Sequence, residues 1–371
     1  MNLDFSEDQK QLKEQARRLF ADKSPPSVVR AVLEGKDSYD QALWKNMAEL
    51  GFLGTAIPEE FGGHGIGHLE LCVIAEELGR SLAPVPMSSS IYLAAEFLVR
   101  AGSDAQKRKY LPKLASGALI GTFAHAERAG EVTERTIEAN VARGALTGAK
   151  VPVPDGEIAD FAVVSARAGD GGVGLFLVDL TGPGVQREAV RTIDPTRNQA
   201  SIRFDNAPAE PLGAPAEGWR ILTDVLNRAA VLVAFEQIGG ADRALEMARD
   251  YALERFAFGR QIGSFQGLKH MMADMYVSAT LARSNCYWAA WALSTDAAEL
   301  PEAAATARVS ATQAFQHCAK NNIQVHGGMG FTWEYDCHLY YRRSNLLALS
   351  LGSQSAWEDK LIDALRRKNA A

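Results

Sequence analysis

The sequence contains no apolar run long enough to cross a membrane, although 47% of its residues are hydrophobic. A membrane-spanning helix needs about 18 or more consecutive apolar residues. The first residues lead directly into a polar, amphipathic segment, without the basic stretch and apolar core of a secretory signal. These absences predict a cytoplasmic protein that does not bind a membrane.

Cysteine is scarce, and basic residues do not cluster. The net charge is −6 and no run of lysine and arginine occurs, which argues against a nucleic-acid partner. The 371 residues are enough for two or three packed units. Neither a metal site nor a disulfide framework is predicted, because the cysteines are scattered without metal-ligand spacing, at Cys72, Cys286, Cys318 and Cys337.

Hydrophobic periodicity divides the chain into three parts. Residues 1–119 are predicted to be helical, residues 120–216 contain short β-type runs between glycines and prolines, and residues 217–371 are helical again. The predicted fold is α+β, with an N-terminal helical domain, a small central antiparallel β domain and a C-terminal four-helix bundle. The four helices of that bundle are expected at residues 229–253, 266–295, 301–327 and 353–368.

Residues 251–266 combine a helix break with aromatic rings and cations. Gly259 interrupts the helical pattern, Phe256 and Phe258 supply rings, and Arg255 supplies a guanidinium group. Rings stack on flat ligands, and guanidinium binds phosphate through two hydrogen bonds. The segment therefore fits a flat, phosphorylated ligand, although a solvated corner between two helices has the same composition.

A second stretch, residues 324–330, reads Q-V-H-G-G-M-G. A glycine pair lets a pyrophosphate or another backbone approach closely, because no Cβ is in the way. The two stretches, in this order and about seventy residues apart, resemble the acyl-CoA dehydrogenase family together with E-E-F-G-G-H-G at residues 59–65. The resemblance covers nearly the whole chain. Within the family it is loosely similar to a bacterial branch that degrades steroid side chains and other bulky acyl groups.

The resemblance implies FAD as the cofactor and an acyl-CoA thioester as the substrate. In this family a base removes the α-proton, a β-hydride moves to flavin N5, and the electrons leave to an electron-transferring flavoprotein. A homotetramer or a heterotetramer is expected. The motifs match flavin-binding residues at Arg255, Phe258 and Gln266, and at Gln324, Gly327 and Gly328 from the neighbouring subunit.

One of these assignments has an alternative, because Gln266 also stands where it would cap the next helix. The central β domain departs from the family pattern more clearly. Residues 123–128 replace a threonine–glutamate–proline–glycine run, and Pro152 and Pro154 stand where many members have tryptophan and threonine beside the flavin. Proline has no N–H donor, so the pyrimidine edge of the flavin is expected to be bound differently.

The catalytic glutamate of the family has no counterpart at either known position. Leu351 replaces it at one position, and Ala229 occupies the other, on the helix before the first flavin motif. The Leu351 backbone N–H can still donate to the thioester oxygen, as the family's does. Glu236 lies seven residues after Ala229, about two helical turns along an apolar run, and is the candidate base. A structural glutamate is the open alternative.

Three functions remain open from the sequence. The first is an FAD-dependent acyl-CoA dehydrogenase with a relocated base, acting on a bulky, branched or ring-bearing acyl group. The second is a non-catalytic partner subunit of a heterotetrameric acyl-CoA dehydrogenase, which completes the partner's flavin site. The third is oxygen chemistry on the same flavin scaffold, for which the sequence has no positive sign.

Overall fold

The computed structural model describes residues 6–169 and 172–370. No helix in these ranges is long and apolar enough to span a membrane. A π-helical stretch, Ser88–Ala95, leads directly into the fifth α-helix. The α-helices are α1 Glu7–Lys23, α2 Pro26–Leu33, α3 Gln41–Glu49, α4 His68–Ser81, α5 Glu96–Ala101, α6 Asp104–Ala115, α7 Gly218–Glu254, α8 Gln266–Ser294, α9 Leu300–His326, α10 Cys337–Leu349 and α11 Gln354–Ala370.

The central part of the chain forms an eight-stranded sheet, which confirms the central β part of the prediction. Its strands are β1 Gly121–Ala124, β2 Asn140–Ala142, β3 Ala145–Pro154, β4 Phe161–Arg167, β5 Val173–Asp179, β6 Val185–Ala189, β7 Gln199–Pro208 and β8 Glu210–Pro211, and a separate pair follows with β9 Phe256–Ala257 and β10 Arg260–Gln261. The strand order in the sheet is β6-β7-β3-β2-β4-β5-β8, with β1 paired to β4. Most pairs are antiparallel, whereas β1 and β2 run parallel to β4.

Strands β4 and β5 are buried along almost their whole length. A strand that is buried on both faces reads as a continuous apolar run, and this is why both strands could be predicted from the sequence. Side chains of β3 and β7 complete the apolar core of the sheet, among them Leu146, Val153, Ile202 and Phe204.

The described residues form two compact units. The first unit comprises residues 6–29, 68–83 and 230–370, and it contains α1, α4, most of α7, and α8 to α11. The second unit comprises the described residues of 30–67 and 84–229, and it contains the eight-stranded sheet with α3, α5 and α6. The three domains with boundaries at 119 and 216 remain a prediction.

In the first unit, α4 and α7 approach so closely that only glycine fits at their contact. A Cβ on Gly79 would lie 2.0 Å from the Glu236 carbonyl oxygen. A Cβ on Gly239 would lie 1.9 Å from the Glu76 carbonyl oxygen. Both distances are far inside van der Waals contact, so the two glycines set the spacing of the helices.

The C-terminal part is helical as predicted, but it contains one helix that the hydrophobic pattern does not reveal. The predicted helices correspond to α7, α8, α9 and α11, with α7 beginning at Gly218 instead of residue 229. Helix α10 is the addition. Its residue Arg343 is buried and donates to the Leu82 carbonyl oxygen at 3.2 Å. A charged residue at an inward position breaks the apolar periodicity on which the prediction depends.

The four cysteines are free, buried thiols of the first unit. Burial raises the pKa of every one of them, to about 12 for Cys318 and Cys337. A thiol of this kind packs as a small apolar group and stays protonated at neutral pH.

Candidate flavin and thioester site

A two-stranded hairpin carries the first predicted flavin motif. Helix α7 ends just before it, β9 and β10 pair antiparallel, and Phe258 (φ 53°) and Gly259 (φ 79°) form the turn. Two consecutive residues with positive φ are the geometry of a type I′ turn, which favours glycine. The turn leaves the Phe258 ring 95% exposed, with an edge contact to Phe265 at 6.2 Å between ring centroids. The face of this ring is available to stack on a flat ligand.

Helix α9 ends in the predicted glycine pair. Gly327 has a φ of 62°, and its N–H donates to the Gln324 carbonyl oxygen. A Cβ at Gly327 or Gly328 would meet no atom within 4 Å, so the surface above both residues is open. Gly330 differs, because a Cβ there would lie 2.5 Å from the Ile323 carbonyl oxygen. The pair therefore offers exposed backbone to a ligand, whereas Gly330 serves packing.

Stacked rings join the two flavin motifs. Tyr251, in the last turns of α7, stacks on His326 at the end of α9, with 4.1 Å between ring centroids. The His326 ring lies within hydrogen-bond distance of the Asn322 carbonyl oxygen, at 2.8 Å from Nδ1. Burial lowers the pKa of His326. This histidine therefore packs the base of the site as a neutral ring.

The residues assigned to flavin all lie at exposed positions of the first unit, and their chemistry fits FAD. In the described part of the chain no carboxylate forms an ion pair with Arg255. The side chains of Gln266, which is the first residue of α8, and Gln324 likewise form no hydrogen bond with any described residue. The Arg255 guanidinium, the Phe258 ring and the Gln266 amide suit the pyrophosphate and adenine of one FAD, whereas the Gln324 amide and the open glycine pair suit the FAD of a neighbouring subunit. The set is Arg255, Phe258, Gln266, Gln324, Gly327 and Gly328.

Leu351 lies in the turn between α10 and α11, in the left-handed conformation with a φ of 63°. Its side chain packs on a small cluster that includes Ala230 and Trp357, and its carbonyl oxygen accepts from Trp357 Nε1 at 3.1 Å. Within the residues that the structure describes, no hydrogen bond uses the Leu351 N–H. The turn thus presents one backbone donor, while the side chain at the family's base position is apolar.

Arg308 of α9 contacts this turn and is absent from the residues that sequence reasoning selected. Its guanidinium donates to the Leu347 carbonyl oxygen and, at 2.7 Å, to the Ser350 carbonyl oxygen. The available signal was a lone arginine in the alanine-rich run A-A-A-T-A-R-V-S-A. Backbone carbonyls are its partners, and these leave no trace in residue type.

The structure buries both Ala229 and Glu236 completely. Glu236 lies where α4 crosses α7, opposite Gly79. Asp224, an earlier carboxylate on α7, is bound by Arg100 at 3.1 Å and by Arg228 at 3.4 Å. Glu236 is therefore the carboxylate of α7 that is shielded from solvent, and Asp224 belongs to an ion-pair network.

The segment at residues 123–128, which departs from the family pattern, is anchored within the second unit. Glu127 accepts from Lys150 at 2.7 Å and from the backbone N–H of Ala139 at 3.0 Å. Burial alone would raise the pKa of Glu127, but the hydrogen bond and charge of Lys150 bring it below its ordinary value. His125 Nδ1 lies 2.8 Å from Ser165 Oγ. The segment is held by its own contacts despite the altered sequence.

These elements and the comparison with known proteins agree on the class of the protein. Residues 6–118 match the acyl-CoA dehydrogenase N-terminal domain, and residues 216–357 match the acyl-CoA dehydrogenase C-terminal domain. The chain is 36% identical to acyl-CoA dehydrogenase IpdE2 of Mycobacterium tuberculosis over 342 residues, 91% of each chain. It belongs to the acyl-CoA dehydrogenases, a family of FAD-dependent oxidoreductases.

Two solved structures of two-component proteins are also similar to the chain. A variant of the steroid ACAD Tcur3481-Tcur3483 has 32% identity and a TM-score of 0.90, over 98% of this chain and 99% of that chain. The ChsE4-ChsE5 complex from Mycobacterium tuberculosis has 27% identity and a TM-score of 0.90, over 99% of both chains.

Proposed function

We propose that the chain binds FAD and catalyses the α,β-dehydrogenation of an acyl-CoA thioester whose acyl group is bulky and ring-bearing. The observation that carries the proposal is the exposed ring of Phe258 and guanidinium of Arg255 on the unit that also bears the open glycine pair. The ring-bearing acyl group is supported by the similarity to a steroid ACAD and by the small side chain of Ala229.

The chain has three tasks in this reaction: to hold the cofactor, to polarise the thioester and to accept a proton. FAD, when bound, supplies a hydride acceptor at N5, from which electrons leave to an electron-transferring flavoprotein. Arg255 would bind a pyrophosphate oxygen, and Phe258 would stack on the flat ring system. The Leu351 N–H would donate to the thioester oxygen, where negative charge develops as the α-proton leaves.

The proton acceptor is assigned to Glu236. Helix α7, all of whose residues the structure describes, buries one carboxylate completely, and this is Glu236. Glu236 would take the α-proton as the Cα–H bond breaks, and bound FAD would supply the acceptor for the β-hydride and its electron pair.

A second candidate function is a partner subunit that completes the flavin site of a catalytic chain. The observation that favours it is the apolar side chain at both base positions of the family, Leu351 and Ala229. The two-component composition of the similar Tcur3481-Tcur3483 and ChsE4-ChsE5 proteins supports a heteromeric assembly. The same flavin-binding residues serve either function.

Anaerobic titration of the FAD-loaded chain with acyl-CoA thioesters tests the first function. We expect a ring-bearing thioester to bleach the flavin absorbance. A linear thioester with the same number of carbons should leave the absorbance unchanged. Glu236→Gln should slow bleaching by at least about a hundredfold, which is the typical contribution of a general base. Asp224→Asn is the matched control on the same helix and should bleach at the wild-type rate.

The outcomes separate the two candidates. A yellow protein that no thioester reduces would contradict the self-sufficient dehydrogenase and favour the partner subunit. If Glu236→Gln is bleached at the wild-type rate, Glu236 is not the base, but the proposed dehydrogenase function still stands.

A further inference from the structure

We infer that Arg308 is a positioning residue, which orients and polarises the peptide group whose N–H binds the thioester oxygen. The inference rests on the proposed dehydrogenase function and adds to it a residue that lies outside the two flavin motifs at residues 251–266 and 324–330. It assigns a role to a buried charge that the flavin site leaves unexplained.

The Arg308 guanidinium is held by four oxygen acceptors inside the first unit. Its side chain is 1% exposed. Nη2 donates to the Leu347 and Ser350 carbonyl oxygens, while Nη1 donates to Gln237 Oε1 at 2.6 Å and to Thr312 Oγ1 at 2.7 Å. Gln237 and Thr312 are hydrogen-bonded to each other at 3.1 Å, so this side of the network is closed. The guanidinium therefore has little freedom to reorient.

A buried arginine usually pairs with a carboxylate, and Arg308 does not. Among the described residues, no aspartate or glutamate forms an ion pair with it. Burial lowers the pKa of Arg308 to about 9, so the group remains charged at neutral pH. Its partners at the turn are carbonyls at the C-terminal end of α10, where the helix dipole is negative. The charge is thus directed onto the backbone of the Leu351 turn.

The contact with Ser350 is decisive, because the Ser350 C=O and the Leu351 N–H belong to the same peptide group. That group is planar and trans, so a hydrogen bond that fixes the C=O direction also fixes the N–H on the opposite side. A hydrogen bond from a cation to the carbonyl withdraws electron density from the peptide and makes its N–H a stronger donor. Arg308 therefore prepares the donor without touching the substrate.

A purely structural role would make Arg308 only a clamp between α9 and α10. The two roles differ in what the bound thioester experiences. A clamp affects the free energy of unfolding, whereas a positioning residue also changes the polarisation of the thioester carbonyl. The carbonyl stretching frequency of a bound thioester reports that polarisation directly, since a stronger hydrogen bond lowers it.

The test uses FAD-loaded protein and cinnamoyl-CoA, a ring-bearing enoyl thioester, labelled with ¹³C at the carbonyl carbon. We expect the carbonyl stretching frequency to fall when the thioester binds to the wild type, and we expect Arg308→Met to abolish this shift. Arg308→Lys should give an intermediate shift, because the lysine ammonium lacks the planar fork of the guanidinium. In the thioester reduction assay, Arg308→Met should lower kcat about tenfold to a hundredfold with KM nearly unchanged. This loss is smaller than the roughly hundredfold to thousandfold loss caused by removing a whole oxyanion donor, because the Leu351 N–H itself remains. Cys318→Ala, a buried change ten residues along α9, should keep the wild-type shift and kcat.

The results distinguish a positioning role of Arg308 from a purely structural one. Wild-type shifts in both arginine variants would overturn the positioning role while leaving the proposed function intact. If Arg308→Met does not fold, Arg308→Lys decides alone, and a full shift with a wild-type kcat overturns the inference. No shift in the wild type would mean that the Leu351 N–H does not bind the thioester, and the inference would then fail together with that part of the proposed function.

Discussion

In the proposed function, two tasks that a single residue performs in the family, polarising the carbonyl and accepting the α-proton, are separated at Leu351. The backbone conformation with φ at 63° keeps the N–H available, while the leucine side chain contributes packing next to Trp357. Replacing that side chain is therefore expected to change proton transfer without disturbing the donor.

In a Glu236→Gln background, which removes the proposed base, Leu351→Glu is predicted to accelerate reduction of the flavin by acyl-CoA, because it places a carboxylate where the family has its base. We expect the rate to exceed that of Leu351→Gln by at least about a hundredfold, measured by anaerobic stopped-flow absorbance. The glutamine variant has the same shape without a base, and so it controls for lost packing. Equal rates for the two variants would contradict the assignment of this position.

The sequence predicts the departure at Leu351, because a missing carboxylate is visible in the residue type. It does not predict Arg308, whose acceptors at the turn are carbonyls of Leu347 and Ser350 and carry no side-chain signature. Sequence reasoning therefore identifies what is missing from the site more readily than what holds its backbone in place.

At the scale of elements, two glycines determine how closely α4 and α7 pack in the first unit. Gly79 and Gly239 each face a backbone carbonyl of the opposite helix, at distances that no Cβ tolerates. A backbone atom cannot turn aside as a flexible side chain does, so the helices themselves must separate to admit a methyl group.

Gly79→Ala is predicted to lower the free energy of unfolding by about 3 kcal/mol, the upper part of the usual range for an overpacked core. Urea unfolding followed by circular dichroism measures the change. Gly267→Ala is the control, because this glycine lies in α8 and a Cβ added to it would meet no atom within 4 Å. It should leave stability unchanged or raise it by up to about 1 kcal/mol. A Gly79→Ala protein as stable as wild type would refute the close approach.

Elements with a continuous apolar pattern, such as β4 and β5, follow from the sequence, and the helices with regular periodicity do as well. Helix α10 does not, because Arg343 occupies a buried position that periodicity assigns to an apolar residue. The β9–β10 hairpin is also invisible as strands, since two residues on each side are too few for an alternating pattern.

At the scale of the whole molecule, the proposed function requires the chain to retain FAD when it is purified alone. We predict about one FAD per chain by absorbance, in a tetramer by light scattering. Gly328→Val should reduce the FAD content at least about tenfold, because its side chain would fill the open surface above the glycine pair. Lys320→Ala, an exposed change on α9 just before the glycine pair, should retain the cofactor.

Absence of FAD from the wild-type chain, followed by its appearance when a catalytic partner is co-expressed, would contradict the homomeric assembly and support the partner subunit. An unchanged FAD content in Gly328→Val would remove the glycine pair from the cofactor site.

The buried cysteines give the first unit a built-in reporter of opening. Alkylating reagents attack the thiolate, and all four thiols are shielded and held protonated by burial. The rate of labelling by such a reagent therefore reports the fraction of molecules in which the first unit has opened. The measurement needs neither substrate nor cofactor. Because no cysteine lies in the second unit, opening confined to the sheet would leave the labelling rate unchanged.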